Sequence, residues 1–291
     1  MAKNKKAANL SLSDQLRVPR GRTKVDLATL DPRATTGYPG AGKKDAEERT
    51  LDLQPELSDL QERLYAAGRS GDAGGRRVLV ILQGMDTAGK GGVIRHAIGM
   101  VDPQGVQLTA FKAPTAAEKR HDYLWRIRRS VPDQGMIGIF DRSQYEDVLT
   151  VRVNKMVPAT QWRKRFAEIN AFEAELADQG TTIIKCFLNV SRDKQKERLA
   201  ERLANPDKYW KYNPGDVDER AKWDDYQAAY ADVLTRCNTS IAPWYVIPSD
   251  RKWYRNWAVA QLLTEHLRAL DLGWPEADFD VDVEKERLAE A

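Results

Sequence analysis

The stretch VLVILQGMDTAGKGG, residues 78 to 92, joins an unbroken apolar run to a glycine-rich turn and then to a basic helix. A strand with no polar alternation belongs in a sheet covered on both faces, and crossover helices are the usual cover. Four more such runs follow: VQLTAF (106–111), MIGIFD (136–141), TTIIKCFLNV (181–190) and WYVIPS (244–249). Between the third and fourth runs, TQWRKRFAEINAFEAELADQG sets Trp162, Phe166, Ile169 and Leu176 on one helical face, with Thr160 as its expected N-cap and Gly180 as its stop. The alternation predicts an α/β protein of three layers, α/β/α, around a mostly parallel five-stranded sheet with right-handed crossovers.

Gly84 to Lys90 fits GxxxxGK in the setting that pattern needs, after a strand and at the opening of a helix. Gly84, Thr87, Ala88, Gly89, Lys90 and Gly91 are therefore candidate phosphate-binding positions: glycines let backbone amides approach an anion, and Lys90 adds a full charge. Gly91 stands where many nucleotide-binding loops carry a Ser or Thr hydroxyl for Mg²⁺. A metal ligand must come from elsewhere. Asp86 inside the loop and Asp141 at the end of the third run are the candidates, the alternative for Asp141 being an N-cap before RSQYEDV.

Other classes of protein are harder to reconcile with the chain. No apolar stretch approaches the roughly 20 residues that span a bilayer, and the basic N-terminus lacks an apolar signal core, so no membrane role is expected. Two cysteines, Cys186 and Cys237, point to a reducing cytoplasm without a disulfide framework, and three scattered histidines argue against zinc. A net charge of +3 does not announce a nucleic-acid binder. The charge is uneven, however: residues 1–50 hold 11 Lys and Arg against 6 Asp and Glu, and the end of the chain is acidic. The expected organisation is an extended N-terminal arm over residues 1–50, a domain over 51–275 that opens on a helix carrying Leu53, Leu57, Leu60 and Leu64 and holds the phosphate loop, and an acidic tail over 276–291.

Four segments in order, GMDTAGKGG, FKAPTAAEKRHDYLWR, FDRSQYEDVLTVRV and NPDKYWKY, resemble the family-2 polyphosphate kinases across about residues 50–270. The resemblance implies a P-loop core with a helical lid at about 191–235, dependence on Mg²⁺ with Mn²⁺ as a substitute, and a homo-oligomer. It implies reversible phosphoryl transfer between inorganic polyphosphate and adenine nucleotides, with guanine left open. Asp86 and Lys90 match the first motif, Asp141 and Arg142 the second, and Arg198 and Arg202 the basic lid helix. Glu146-Asp147 resembles members that accept both AMP and ADP. Gln144 and Asn205 depart from the usual wording of the second motif and of the lid motif, which blurs acceptor preference.

Lys194, Arg198 and Arg202 fall at i, i+4 and i+8 and share a helical stripe, with Lys208 and Lys211 following. A polyanion needs such a track. The alternative is a solvated face with Lys194–Glu197 and Arg198–Glu201 pairs. Lys112, Asp122 and Arg126 are expected to meet the nucleotide at the mouth of the sheet. Two other functions compete: an ATP-dependent nucleoside monophosphate kinase, and a P-loop switch or nucleic-acid-binding protein using the basic arm. Deleting residues 1–50 is expected to spare turnover in a kinase and to abolish a switch.

Overall fold

The computed structural model describes residues 10–21 and 24–291. Each apolar run is a strand: β1 (Arg77–Gln83), β2 (Val106–Ala110), β3 (Ile137–Asp141), β4 (Thr181–Asn189) and β5 (Trp244–Pro248). All pair in parallel in the order β2-β3-β1-β4-β5. The chain leaves β1 toward β2 on one side and leaves β3 toward β4 on the other. The loops after β1 and β3 therefore part at the carboxyl ends of neighbouring strands, the crevice where open α/β sheets bind ligands. Leu82 pairs in register with Asp141, so the phosphate loop and the second motif start side by side.

β1, β3, β4 and β5 are buried along nearly their whole length, as cover on both faces requires. β2 does not meet that expectation: it is an edge strand, and Leu108 is 53% exposed. The helices used below are α1 (Leu12–Leu16), α2 (Lys43–Asp52), α3 (Gln54–Ser70), α4 (Lys90–His96), α5 (Ala159–Asp178), α6 (Arg192–Ala204), α7 (Gly215–Ala221), α8 (Trp223–Arg236), α9 (Lys252–Arg268) and α10 (Val281–Ala289). None of the described helices is long and apolar enough to cross a membrane. α5 begins one residue before Thr160, behind Pro158 and without a side-chain cap, whereas Gly180 ends it as expected with φ +87°.

The N-terminal segment is where the structure departs most from expectation. Over its described part it is no free extended arm, because Leu12, Leu16, Val18 and Leu27 are buried in the core. Glu265 of α9 accepts the Leu12 and Ser13 amides at the start of α1. Arg17 bridges antiparallel to Tyr245, so the segment blocks the free edge of β5. Farther along, Tyr38 packs its ring 5.2 Å from Trp253 and 4.8 Å from Trp257, and α2 starts at Lys43, ahead of the helix expected from Leu51. These apolar anchors are widely and irregularly spaced, so periodicity could not register them. At the other end the acidic tail carries α10, none of whose residues is buried.

A charged cluster lies inside the sheet layer. Lys185 on β4 is fully buried and donates to Glu173 Oε2 (2.6 Å), Tyr145 Oη (2.9 Å) and the Cys237 carbonyl (2.7 Å). Gln144 Nε2 and Tyr145 Oη both donate to Glu173 Oε1. The Gln144 that departs from the usual motif is thus a buried partner of α5.

Candidate active site

The phosphate loop runs from the end of β1 into α4 and takes its shape from left-handed backbone at Gly84 (φ +154°), Thr87 (φ +63°) and Gly89 (φ +112°). At Gly89 φ favours glycine, and a Cβ would lie 1.7 Å from Arg255 Nη1 and 2.5 Å from its Cζ, so any side chain there would have to displace that buried guanidinium. Lys90 Nζ donates to the Gly84 carbonyl at 3.0 Å and lies across the loop. Arg142, the first residue after β3, is also left-handed (φ +65°) and reaches back so that Nη2 meets Asp86 Oδ1 at 2.9 Å. Strain at a non-glycine residue here aims a guanidinium at the loop. Burial alone would lower the Arg142 pKa, but the carboxylates of Glu146 and Asp86 outweigh it and raise it well above the usual range.

These groups wall a cleft of about 250 Å³: Gly84, Met85 and Asp86 of the loop and Arg142 and Glu146 after β3 face Asn213, Asp216 and Glu219 around α7 and Tyr226 and Tyr230 of α8. Asp216 is held above the ordinary carboxylate range, first by burial and then by the nearby Asp86 charge. Asp216, Glu219, Tyr226 and Tyr230 were not among the residues expected from the sequence. No local pattern marks them, since they arrive from the other side of the cleft. α8 serves both the cleft and the core: Tyr226 and Tyr230 line the cleft, while Ala229, Val233 and Leu234 are buried.

The lid cations do not form one track. Lys194 turns to Glu197 at 2.6 Å, as the solvated-face alternative has it. Arg198 differs from both expectations: it is buried, and its guanidinium donates to the carbonyls of Thr87, Ala88, Ser249 and Asp250 instead of facing solvent or Glu201. Arg202 reaches the Lys211 carbonyl (2.7 Å) and Asp216 Oδ2 (3.2 Å) at the cleft wall. Lys208 and Lys211 lie on the turn Pro206–Lys211, where Lys211 Nζ sits 4.8 Å from the centre of the Trp210 ring and Trp210 is 79% exposed.

The Glu146-Asp147 turn separates two clefts. Glu146 faces the loop, and Thr150 Oγ1 donates to it. Asp147 faces a second cleft of about 570 Å³ together with Asp122 and Arg126, and Arg165 Nη1 holds it at 3.1 Å. Of the expected nucleotide residues, Glu146 thus lines the phosphate loop's cleft, whereas Asp122 and Arg126 lie in the one beside it. Arg126 donates to the Lys112 carbonyl, and Asp122 accepts the Leu124 amide. His121 stacks flat on Trp125 at 4.1 Å, a packing role.

The arrangement is a phosphate cradle with arginine and carboxylate partners, and comparison with known proteins gives it a family. Residues 40–272 match the family model of polyphosphate kinase 2. The chain belongs to that family. Among relatives, the AMP/ADP-polyphosphate phosphotransferase of Meiothermus ruber is 46% identical over 260 residues, 89% of this chain and 94% of that protein. The ADP-polyphosphate phosphotransferase of Rhodopseudomonas palustris is 40% identical over 275 residues, 90% of this chain and 92% of that protein. Among solved structures, the polyphosphate kinase 2 of Arthrobacter aurescens superposes with a TM-score of 0.92 at 51% identity, covering 97% of this chain and 98% of that one. This polyphosphate kinase thus has the P-loop α/β fold and the enzyme class that the four motifs implied.

Proposed function

We propose that the protein moves phosphoryl groups between inorganic polyphosphate and adenine nucleotides, with AMP and ADP both as acceptors. The observation that carries this reading is the meeting of Asp86 and Arg142 across the mouth of a GxxxxGK loop, in a cleft walled on its far side by Asp216 and Glu219 around α7, with Arg202 paired to Asp216. Lys90 and the loop amides hold the transferring phosphates, and Arg142 and Arg202 neutralise charge on the migrating group. An acceptor phosphate is already ionised near neutral pH, so the transfer needs no strong general base. The acceptor reading rests on Glu146-Asp147 and on the AMP/ADP relative.

Asp86 and Asp141 are the residues that would hold Mg²⁺, and the site's chemistry fits: the carboxylates of Asp86, Asp216 and Glu219 line the cleft, and Asp141 ends β3 in register with Leu82 beside the loop. Among the described residues no three His, Cys, Asp or Glu side chains form a ready cage. When bound, Mg²⁺ would neutralise phosphate charge. A homo-oligomer in the cytoplasm completes the reading, with Cys186 and Cys237 both free and buried.

The test is incubation with polyphosphate, Mg²⁺ and AMP, followed by separation of nucleotides over time. ADP and then ATP are expected. ADP that accumulates without ATP would reject ADP as an acceptor, and absence of any product until ADP is supplied would reject AMP. Transfer from ATP to AMP without polyphosphate as donor would reject the donor.

A further inference from the structure

Three successive carbonyls of the phosphate loop are held by side chains from outside it. Gln195 Nε2 donates to the Asp86 carbonyl (3.1 Å), Arg198 Nη1 to Thr87 (2.9 Å) and Ala88 (3.2 Å), and Arg255 Nη1 to Ala88 (3.1 Å). Gln195, Arg198 and Arg255 are 1%, 5% and 3% exposed, so all three act from beneath the loop. In a trans peptide the N–H points opposite to the C=O. Drawing the Ala88 carbonyl down therefore turns the Gly89 amide the other way, to the face where an anion binds. The clamp has its own anchors. Asp250 takes the Ser191 amide and hydroxyl at the root of α6, both at 2.8 Å, and its amide donates to the Pro32 carbonyl of the N-terminal segment. Gln195 Oε1 accepts from Arg220 of α7 at 2.9 Å, which fixes the amide's orientation and joins the lid to the loop.

We infer that Gln195 and Arg255 are positioning residues for phosphoryl transfer: with Arg198 they clamp the carbonyls of Asp86, Thr87 and Ala88, and Gln195 links the clamp to the lid through Arg220. Neither touches the reacting atoms. No local feature of the sequence marks them. Gln195 sits in a highly charged helix, and Arg255 lies in α9, more than 160 positions from the loop it supports. The inference rests on the phosphate-loop reading above.

The geometry makes a graded forecast. Gln195→Leu keeps the size of the side chain and loses the donor, while Gln195→Glu places a carboxylate against the Asp86 carbonyl and so opposes it. Tripolyphosphate binding by calorimetry and steady-state kinetics would be measured on folded protein, alongside melting temperature. The expected result is a loss of tripolyphosphate affinity of about tenfold for Gln195→Leu and more for Gln195→Glu, with the nucleotide KM little changed and the melting temperature near that of the parent. Arg255→Lys should behave as Gln195→Leu does. A lowered melting temperature with parental tripolyphosphate affinity in Gln195→Leu and Gln195→Glu would overturn the inference, as would equal behaviour of those two variants. If Arg255→Lys does not fold, the two Gln195 variants decide. A parent that binds tripolyphosphate but transfers nothing would reject the proposed function and leave the clamp to be judged on binding alone.

Discussion

Arg142 Nη2 lies 2.9 Å from Asp86 Oδ1, tying the turn after β3 to the phosphate loop after β1 at the carboxyl edge of the sheet. The pair is about one-third exposed, with side-chain accessibilities of 41% and 24%, so its stabilising effect is small and its positional effect is the larger one. Asp86→Asn and Asp141→Asn should each lower kcat by about 100-fold or more, as expected when one electrostatic element of a phosphoryl-transfer site is lost. Kinetics across a Mg²⁺ titration measure this. Parental turnover by either variant, or turnover in excess EDTA, would reject the pair as metal ligands.

Arg198 and Arg202, four residues apart on one helix, should fail differently. Arg198→Ala removes the donor to four carbonyls, all in or beneath the loop, and should cost at least about 3 kcal/mol of stability. Arg202 borders the cleft, and its alanine variant should raise the polyphosphate KM with little change in melting temperature. Added salt should narrow the difference from the parent, since exposed charges act over a Debye length of about 8 Å at physiological ionic strength. Thermal melts beside donor-dependence curves separate the two outcomes.

Removing one partner from the buried Lys185–Glu173 pair leaves a charge without a counterion. Lys185→Met should destabilise by about 3 to 5 kcal/mol, and adding Glu173→Leu should restore part of that loss. A double-mutant cycle in denaturant tests this. Additive losses would show that the pair is not coupled.

Asp147 gives the fold a pH dependence with a definite sign. Burial raises its pKa from 3.8 to about 6, against the pull of Arg165 and Arg126. The native state therefore holds this proton more tightly than the unfolded chain, and the group's contribution to stability falls as pH rises from about 4 to about 6. Asp147→Asn removes that dependence. Denaturant unfolding across that range should show the variant gaining on the parent as pH increases, and a gap that stays constant would contradict the assignment.

The packing of the N-terminal segment reverses the outcome expected for its deletion. Starting the chain at Leu51 strips Leu12, Leu16, Val18 and Leu27 from the core, each worth about 1.5 to 3 kcal/mol of burial, and uncovers the edge of β5. The truncated protein should lose its cooperative melt and its turnover together. A folded, active truncation would show that the segment is dispensable.

The strands and the loop were legible because their signals are local. A continuous apolar run needs only its own residues to be recognised, and GxxxxGK draws its chemistry from seven consecutive positions. The four motifs carried the family for the same reason. Three-dimensional proximity decided the rest. Strand order brought Asp141 and Arg142 beside the phosphate loop, where Leu82 and Asp141 pair. Lys194, Arg198 and Arg202 do share one helix at i, i+4 and i+8, but spacing cannot say which side of a stripe meets the protein. Packing turned Arg198 inward because backbone carbonyls under the loop needed donors that only a neighbouring element supplies. Lys185 likewise passed for part of an apolar strand until the fold set Glu173 against it, and the scattered anchors of the N-terminal segment acquired a common face only once β5 and α9 were there to receive them.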